Sequence, residues 1–156
     1  MLANLSLVAL MTVLVNAVHL AGLLALLHFL RRNAHHAFGD NGLRHLFRQG
    51  AMMLVVMLGI FLLHTAEIWL YAIAYMSVGA FTELWTALYF SASSFSTLGF
   101  GDVVLGPDWR MLSAVEGVTG LILIGWSSAF LLSVTSRLRI LEYDWETYAR
   151  RRERER

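Results

Sequence analysis

The sequence predicts an all-α membrane protein, with three helices that cross the bilayer and a short fourth that enters it without crossing. Three observations carry this reading. Of the 156 residues, 58% are hydrophobic and the mean hydropathy is +0.61, above the roughly 45–50% apolar content of soluble domains. Apolar runs at Leu5–Leu30, Gly50–Ser77 and Trp109–Ser136 are each long enough for a hydrocarbon core of about 30 Å. The intervening stretch Val78–Asp108 is too apolar for an ordinary loop, and its helical part is too short to span.

Taken in order, Leu5–Leu30 as a helix is about 39 Å long at about 1.5 Å per residue and stops at Arg31-Arg32. No basic residue precedes it and it exceeds the apolar core of a cleaved signal, so it is expected to stay as a helix. A polar, basic loop follows over Arg31–Gln49, with Gly39-Asp40-Asn41-Gly42 as its turn. After the second run, Thr82 is expected to cap a helix over Glu83–Ser96. That helix reads as a re-entrant half-helix leading into an irregular strand, Thr97–Asp102. The chain therefore divides into an N-terminal helix (1–32), a basic loop (33–49), a two-span module (50–137) and a charged tail (138–156).

Charge placement sets the expected orientation. The net charge is only +1 and the chain has no Cys, which leaves disulfides and thiolate metal sites out of reach. All twelve basic residues are Arg, four at positions 31–48 and seven at 137–156, with Arg110 apart. Basic residues in short flanks stay inside. The loop and tail are expected in the cytoplasm, with the N-terminus and the 97–108 loop outside, in a multi-pass protein of the cell (inner) membrane.

Thr97-Leu98-Gly99-Phe100-Gly101-Asp102 is the most informative stretch. Irregular backbone at membrane depth is viable only where it is buried in protein or lines water. Glycine permits backbone angles that turn successive carbonyls the same way, and a ring of such carbonyls replaces the hydration shell of K⁺. The hexapeptide resembles the selectivity filter of the potassium channel family, whose common form is Thr-Val-Gly-Tyr-Gly-Asp. The resemblance covers about residues 50–137, the pore module of the tetrameric cation channels in its bacterial two-helix form. It implies that Thr97, Leu98, Gly99, Phe100 and Gly101 form the filter. The carbonyls of Thr97, Leu98, Gly99 and Phe100 and the Thr97 hydroxyl would hold K⁺. No second filter motif is present, so a closed ring needs several chains, and the family solution is a homotetramer. Gly99 and Gly101 would take the conformations that other residues avoid.

The resemblance also places filter supports. Asp102 is expected at the outer mouth, hydrogen-bonded to the pore helix. Tyr89-Phe90 occupy the aromatic cuff where many members carry two Trp, and Ser93 stands where some carry a Glu. Phe100 replaces the common Tyr and loses a ring hydroxyl; Leu98 replaces the common Val. Glu116, in the third span, is costly there and must face protein or water. It is expected either near the outer interface or behind the filter, bonded to Ser93, Ser94 or the Asp102 region.

In the third span, Gly117 and Gly125 suggest close helix approach, and Gly120 aligns with the family's inner-helix hinge. The alignment implies that Leu121, Ile124, Ser128 and Leu132 line a cavity, with Leu132 and Ser136 near the inner mouth. The pore helix's carbonyl end would favour a cation below the filter.

Other polar residues are read from spacing. His64 and Glu67 share a helix face; as a metal pair they lack a third candidate ligand, so a hydrogen-bonded polar pair is expected, and the same for Asn16 and His19. His28, His35, His36 and His45 form either an internal proton sensor or a solvated basic loop. The first span lacks the spaced charges of a voltage sensor. The tail places Leu138, Leu141, Trp145 and Tyr148 at helical spacing. It fits an amphipathic helix on the inner leaflet or a fourfold bundle, and its basic end suits anionic lipid. No nucleophile, base or nucleotide-binding constellation is visible, which argues against an enzyme, and no cofactor beyond K⁺ and no nucleic-acid partner is expected.

The expectation is a passive K⁺-selective homotetrameric channel. The rivals are a weakly selective Na⁺/K⁺ channel and a non-conducting membrane subunit on the same scaffold.

Overall fold

A computed structural model describes residues 2–37, 43–138 and 153. All elements among them are helical: α1 (Leu2–Ala37), α2 (Leu43–Ser77), α3 (Leu84–Phe95) and α4 (Arg110–Leu138). Three of these are long and apolar enough to cross a membrane, over Asn4–Asn33, Phe47–Ser77 and Arg110–Ser136. The 12 residues of α3 reach only about 18 Å at about 1.5 Å per residue, too short for a crossing.

The basic loop is smaller than its polarity suggested. α1 runs through Arg31-Arg32 to Ala37, and α2 begins at Leu43. Charged residues do not break a helix, and Arg is a good helix former. The expected turn at Gly39-Asp40-Asn41-Gly42, the side chains of His35, His36 and His45, and the tail beyond Leu138 apart from Glu153 lie outside the described residues.

α2 ends in a Schellman motif. Gly79 N–H donates to the Met76 carbonyl and Ala80 N–H to the Tyr75 carbonyl, while Gly79 takes φ +70°, a left-handed angle natural to glycine. α3 starts one residue later than Thr82 capping predicted. Its N-cap is Glu83, in extended backbone and without a side-chain cap bond. The Glu83 carboxylate instead accepts a 2.7 Å hydrogen bond from the Thr86 hydroxyl.

α3 is clasped between α2 and α4, and α1 packs against α2 and α4. The main core lies at the α3 level. It joins Met11 and Val15 of α1, Tyr71 and Tyr75 of α2, Phe90 and Phe95 of α3, and Leu112 and Leu123 of α4. A smaller cluster, Leu30, Val56 and Val134, holds the opposite end. The Asn4 side-chain amide donates to the Asp108 carbonyl at 2.9 Å, so the start of α1 lies on the same side as the loop that follows α3.

Gly120 serves close packing. A Cβ built there would run into the Phe95 carbonyl and ring, so the end of α3 sits directly on the α4 backbone. A Cβ at Gly117 would stand 3.3 Å from the Ser94 carbonyl, whereas one at Gly125 would meet nothing. The close approach expected at Gly117 and Gly125 is thus found within this chain at Gly117 and Gly120. Overpacking a filled contact destabilises by about 1–3 kcal/mol. Gly120→Ala is expected to lower the thermal unfolding midpoint in detergent well below that of Gly125→Ala, and equal midpoints would contradict this packing.

Candidate functional site

The irregular segment after α3 is organised by Ser93. Its carbonyl accepts the N–H groups of Leu98 at 3.0 Å and Gly99 at 3.2 Å, and its hydroxyl accepts Phe100 N–H at 3.4 Å. Thr97 N–H donates to the Ser94 carbonyl at 3.0 Å. These donors satisfy carbonyls that a helix end otherwise leaves open.

The consequence follows from peptide geometry. No peptide bond among the described residues is cis, and in a trans unit N–H and C=O point in opposite directions. With the N–H groups of 98, 99 and 100 turned to Ser93, the carbonyls of Thr97, Leu98 and Gly99 all face away from it. Backbone angles repeat the pattern: φ is +61° at Thr97, +56° at Gly99 and +78° at Gly101, with Leu98 and Phe100 outside the positive-φ region. Alternating hands keep successive carbonyls on one side. Thr97 was not foreseen as left-handed. A β-branched residue in that region is a genuine outlier, and such strain, of order 1–3 kcal/mol, gathers at functional segments.

The segment is exposed in the single chain, Leu98 at 63% and Phe100 at 65%. Two contacts steady its outer end. The Tyr89 hydroxyl donates to Asp102 at 2.7 Å, and the Tyr89 and Phe100 rings lie parallel within 8°, 6.5 Å apart. The bond to Asp102 pushes the Tyr89 phenol above its ordinary pKa. The bond from α3 to Asp102 is as expected, while the Phe100 ring contributes stacking only. Phe90, the other half of the expected cuff, turns inward; its ring meets Tyr75 edge-on and lies 5.2 Å from Phe81.

Glu116 is fully buried, and its partners differ from those expected. Ser91 and Tyr75 each donate to it at 2.5 Å; Ser93, by contrast, holds residues 98–100. Ser91 lies one turn before Ser94 on the same face of α3, and Tyr75 comes from α2, beyond the reach of local spacing. Ser94 pairs with Ser113 at 3.2 Å. The carboxylate thus ties α2, α3 and α4 together behind the irregular segment.

Leu121, Ile124, Ser128, Leu132 and Ser136 are all exposed in the single chain and recur at intervals of three or four residues along α4. Gly120, four residues before Ile124, continues that row but is buried against α3.

A short half-helix, a segment with its carbonyls aligned, and a flanking pair of spanning helices are now in place. A family model described as an ion channel matches residues 51–137. The chain belongs to this ion channel family. No curated protein and no solved structure matches it. The matched residues contain α3, the irregular segment and all but the last residue of α4, together with α2 from its ninth residue onward; α1 lies outside them. As an ion channel with three spanning helices, the chain is a multi-pass membrane protein.

Two tests address this geometry. Ser91→Ala removes one donor from a buried carboxylate, a change worth about 1–3 kcal/mol. It is expected to lower thermal stability more in the wild-type background than in Glu116→Leu, where no carboxylate needs a donor; additive losses would remove the pairing. Tyr89→Phe is expected to leave the fold intact and to speed decay of channel current at steady voltage, and unchanged decay would show that the strap is idle.

Proposed function

We propose that the chain forms a passive, K⁺-selective channel as a homotetramer. Four copies of residues 97–101 surround one axis, and the carbonyls of Thr97, Leu98, Gly99 and Phe100, with the Thr97 hydroxyl, replace water around K⁺. The observation that carries this reading is the shared direction of the Thr97, Leu98 and Gly99 carbonyls. An oxygen-only ring of this kind matches a weakly hydrated monovalent cation. Passive flow of that kind needs no covalent step and no cofactor other than the ion itself.

Asp102 and Tyr89 hold the outer mouth, Ser93 fixes the filter from behind, and Glu116 fixes the pore helix. Leu121, Ile124, Ser128 and Leu132 line the cavity below, and an apolar narrowing near Leu132 and Ser136 closes it by dewetting. Gly120 sets the distance between pore helix and inner helix. The N-terminus and filter mouth lie outside the cell membrane and the tail lies inside, where its arginines meet anionic lipid. The module comprises residues 50–137, with 1–32 as an added helix, 33–49 a cytoplasmic connection and 138–156 a cytoplasmic tail.

Leu98 and Phe100 favour a second reading, a weakly selective Na⁺/K⁺ channel, because both alter packing behind the carbonyls. Purified protein in liposomes is expected to pass K⁺, to be blocked by Ba²⁺, and to shift its reversal potential towards the K⁺ value in mixed K⁺/Na⁺ solutions. A reversal potential near zero selects the second reading. Absence of flux from verified tetramers identifies a non-conducting subunit.

A further inference from the structure

His19, His64 and Glu67 take no part in the conduction path described above. All three lie within membrane-spanning segments, where ionisable side chains are rare and carry function by default. The sequence offered His64 and Glu67 no third ligand; the fold supplies one from α1, 48 positions away. His19 Nδ1 and His64 Nδ1 each stand 2.8 Å from a different oxygen of the Glu67 carboxylate. One ligand atom from each residue lies within 4.8 Å of the others.

The surroundings are those of a built site. His19 and Glu67 are completely buried, and the His64 side chain keeps 17% exposure. The two imidazoles stack with centroids 5.5 Å apart, Trp126 covers His19 at 5.6 Å, and Phe95 lies 5.6 Å from His64. Ser127 Oγ stands 3.5 Å from His19 Nε2. When Nε2–H is donated to Ser127, the bare Nδ1 lone pair faces a carboxylate oxygen at 2.8 Å. Two lone pairs at that distance require a proton or a cation between them.

We propose that His19, His64 and Glu67 form a divalent transition-metal site of the Zn²⁺ class that fastens α1 to the pore module. Two imidazole nitrogens and one carboxylate oxygen are the ligands, and a fourth position opens on the His64 side. Such a donor set suits Zn²⁺ and Co²⁺ and disfavours K⁺, Mg²⁺ or Ca²⁺, which take oxygen shells. Ligand atoms about 2.0–2.2 Å from a tetrahedral ion stand about 3.4 Å apart, so the two 2.8 Å nitrogen–oxygen contacts would open by about half an ångström as the ion enters. Binding releases whatever proton the triad holds, because imidazole must be neutral to ligate. Ser127 orients His19 from outside, as hydrogen-bond partners of ligating histidines do. The ion would sit beside Phe95, the last residue of the pore helix.

The test uses the full chain in nanodiscs, stripped with chelator and titrated with Co²⁺. The expected result is one Co²⁺ per chain with the intense visible bands of a four-coordinate ion, displaced by Zn²⁺. Glu67→Gln and His64→Gln should each weaken binding at least tenfold. His64→Gln decides if the buried variants fail to fold, since His64 is the partly exposed member. No visible bands, or unchanged affinity in His64→Gln, overturns the site and assigns any bound Co²⁺ to other histidines. Because the readout is metal binding and not flux, its failure leaves the conduction reading standing.

Discussion

The direction of the backbone after α3 depends on the last turn of that helix. A helix end leaves carbonyls without partners, and here the Ser93 carbonyl accepts two N–H groups of the next segment while its hydroxyl accepts a third. That convergence fixes the direction of three peptide units at once. The price is a left-handed threonine at position 97, tolerated because both flanks are fixed. Phe95 behind it lies against the backbone of Gly120, so the end of α3 can neither slide along α4 nor lift from it without opening the core.

Buried polar side chains place α3 laterally. Glu116 on α4 accepts from Tyr75 on α2 and Ser91 on α3, and Glu67 on α2 meets His19 of α1 and His64 of its own helix. In lipid, helices gain little from apolar burial against one another, because the tails are as apolar as leucine. Directional bonds then define which faces meet. Removing one partner leaves a buried group unsatisfied, whereas replacing a whole cluster by apolar side chains can be nearly neutral. The clusters therefore specify one packing more than they supply net stability.

Much of this was legible in the sequence, and what was missed has a common cause. Hydropathy located the three spans, because the demand for about 20 apolar residues is local, and the glycines at 99 and 101 located the irregular segment after α3, where both take positive φ. The extent of α1 was misjudged because arginines read as a stop, although they end only the apolar run and not the helix. His19 as a third partner for Glu67, Tyr75 and Ser91 as partners of Glu116, and Gly120 as the seat of Phe95 all arise from contacts between elements far apart in sequence. Periodicity shows that a residue lies on a given face but not what that face meets. The left-handed Thr97 was hidden for another reason: its residue type argues against that conformation, and only the bonds to Ser93 and Ser94 impose it.

A single chain leaves the segment after α3 uncovered. Residues 96–102 are exposed throughout, and Val104 and Leu132 are among the most exposed large side chains. Exposed leucine or valine is at ease in lipid, but a run of unpaired carbonyls is not; irregular backbone survives at that depth only beside protein or water. In the assembly proposed above, the aligned face of residues 97–99 looks onto an aqueous axis and protein covers its flanks. Copies of the same chain would meet both demands together, since rotation about one axis would place each copy's carbonyls inward and each copy's α4 against its neighbour. α1 packs on α2 and α4 and lies outside the family match, so it adds a layer held by Met11 and Val15 in the main core, by Leu30 in the second cluster and by a buried polar contact with α2, from His19 to Glu67. Whatever fixes His19 to Glu67 adds a directional tie between α1 and α2, and through the His64–Phe95 contact it bears on the end of α3.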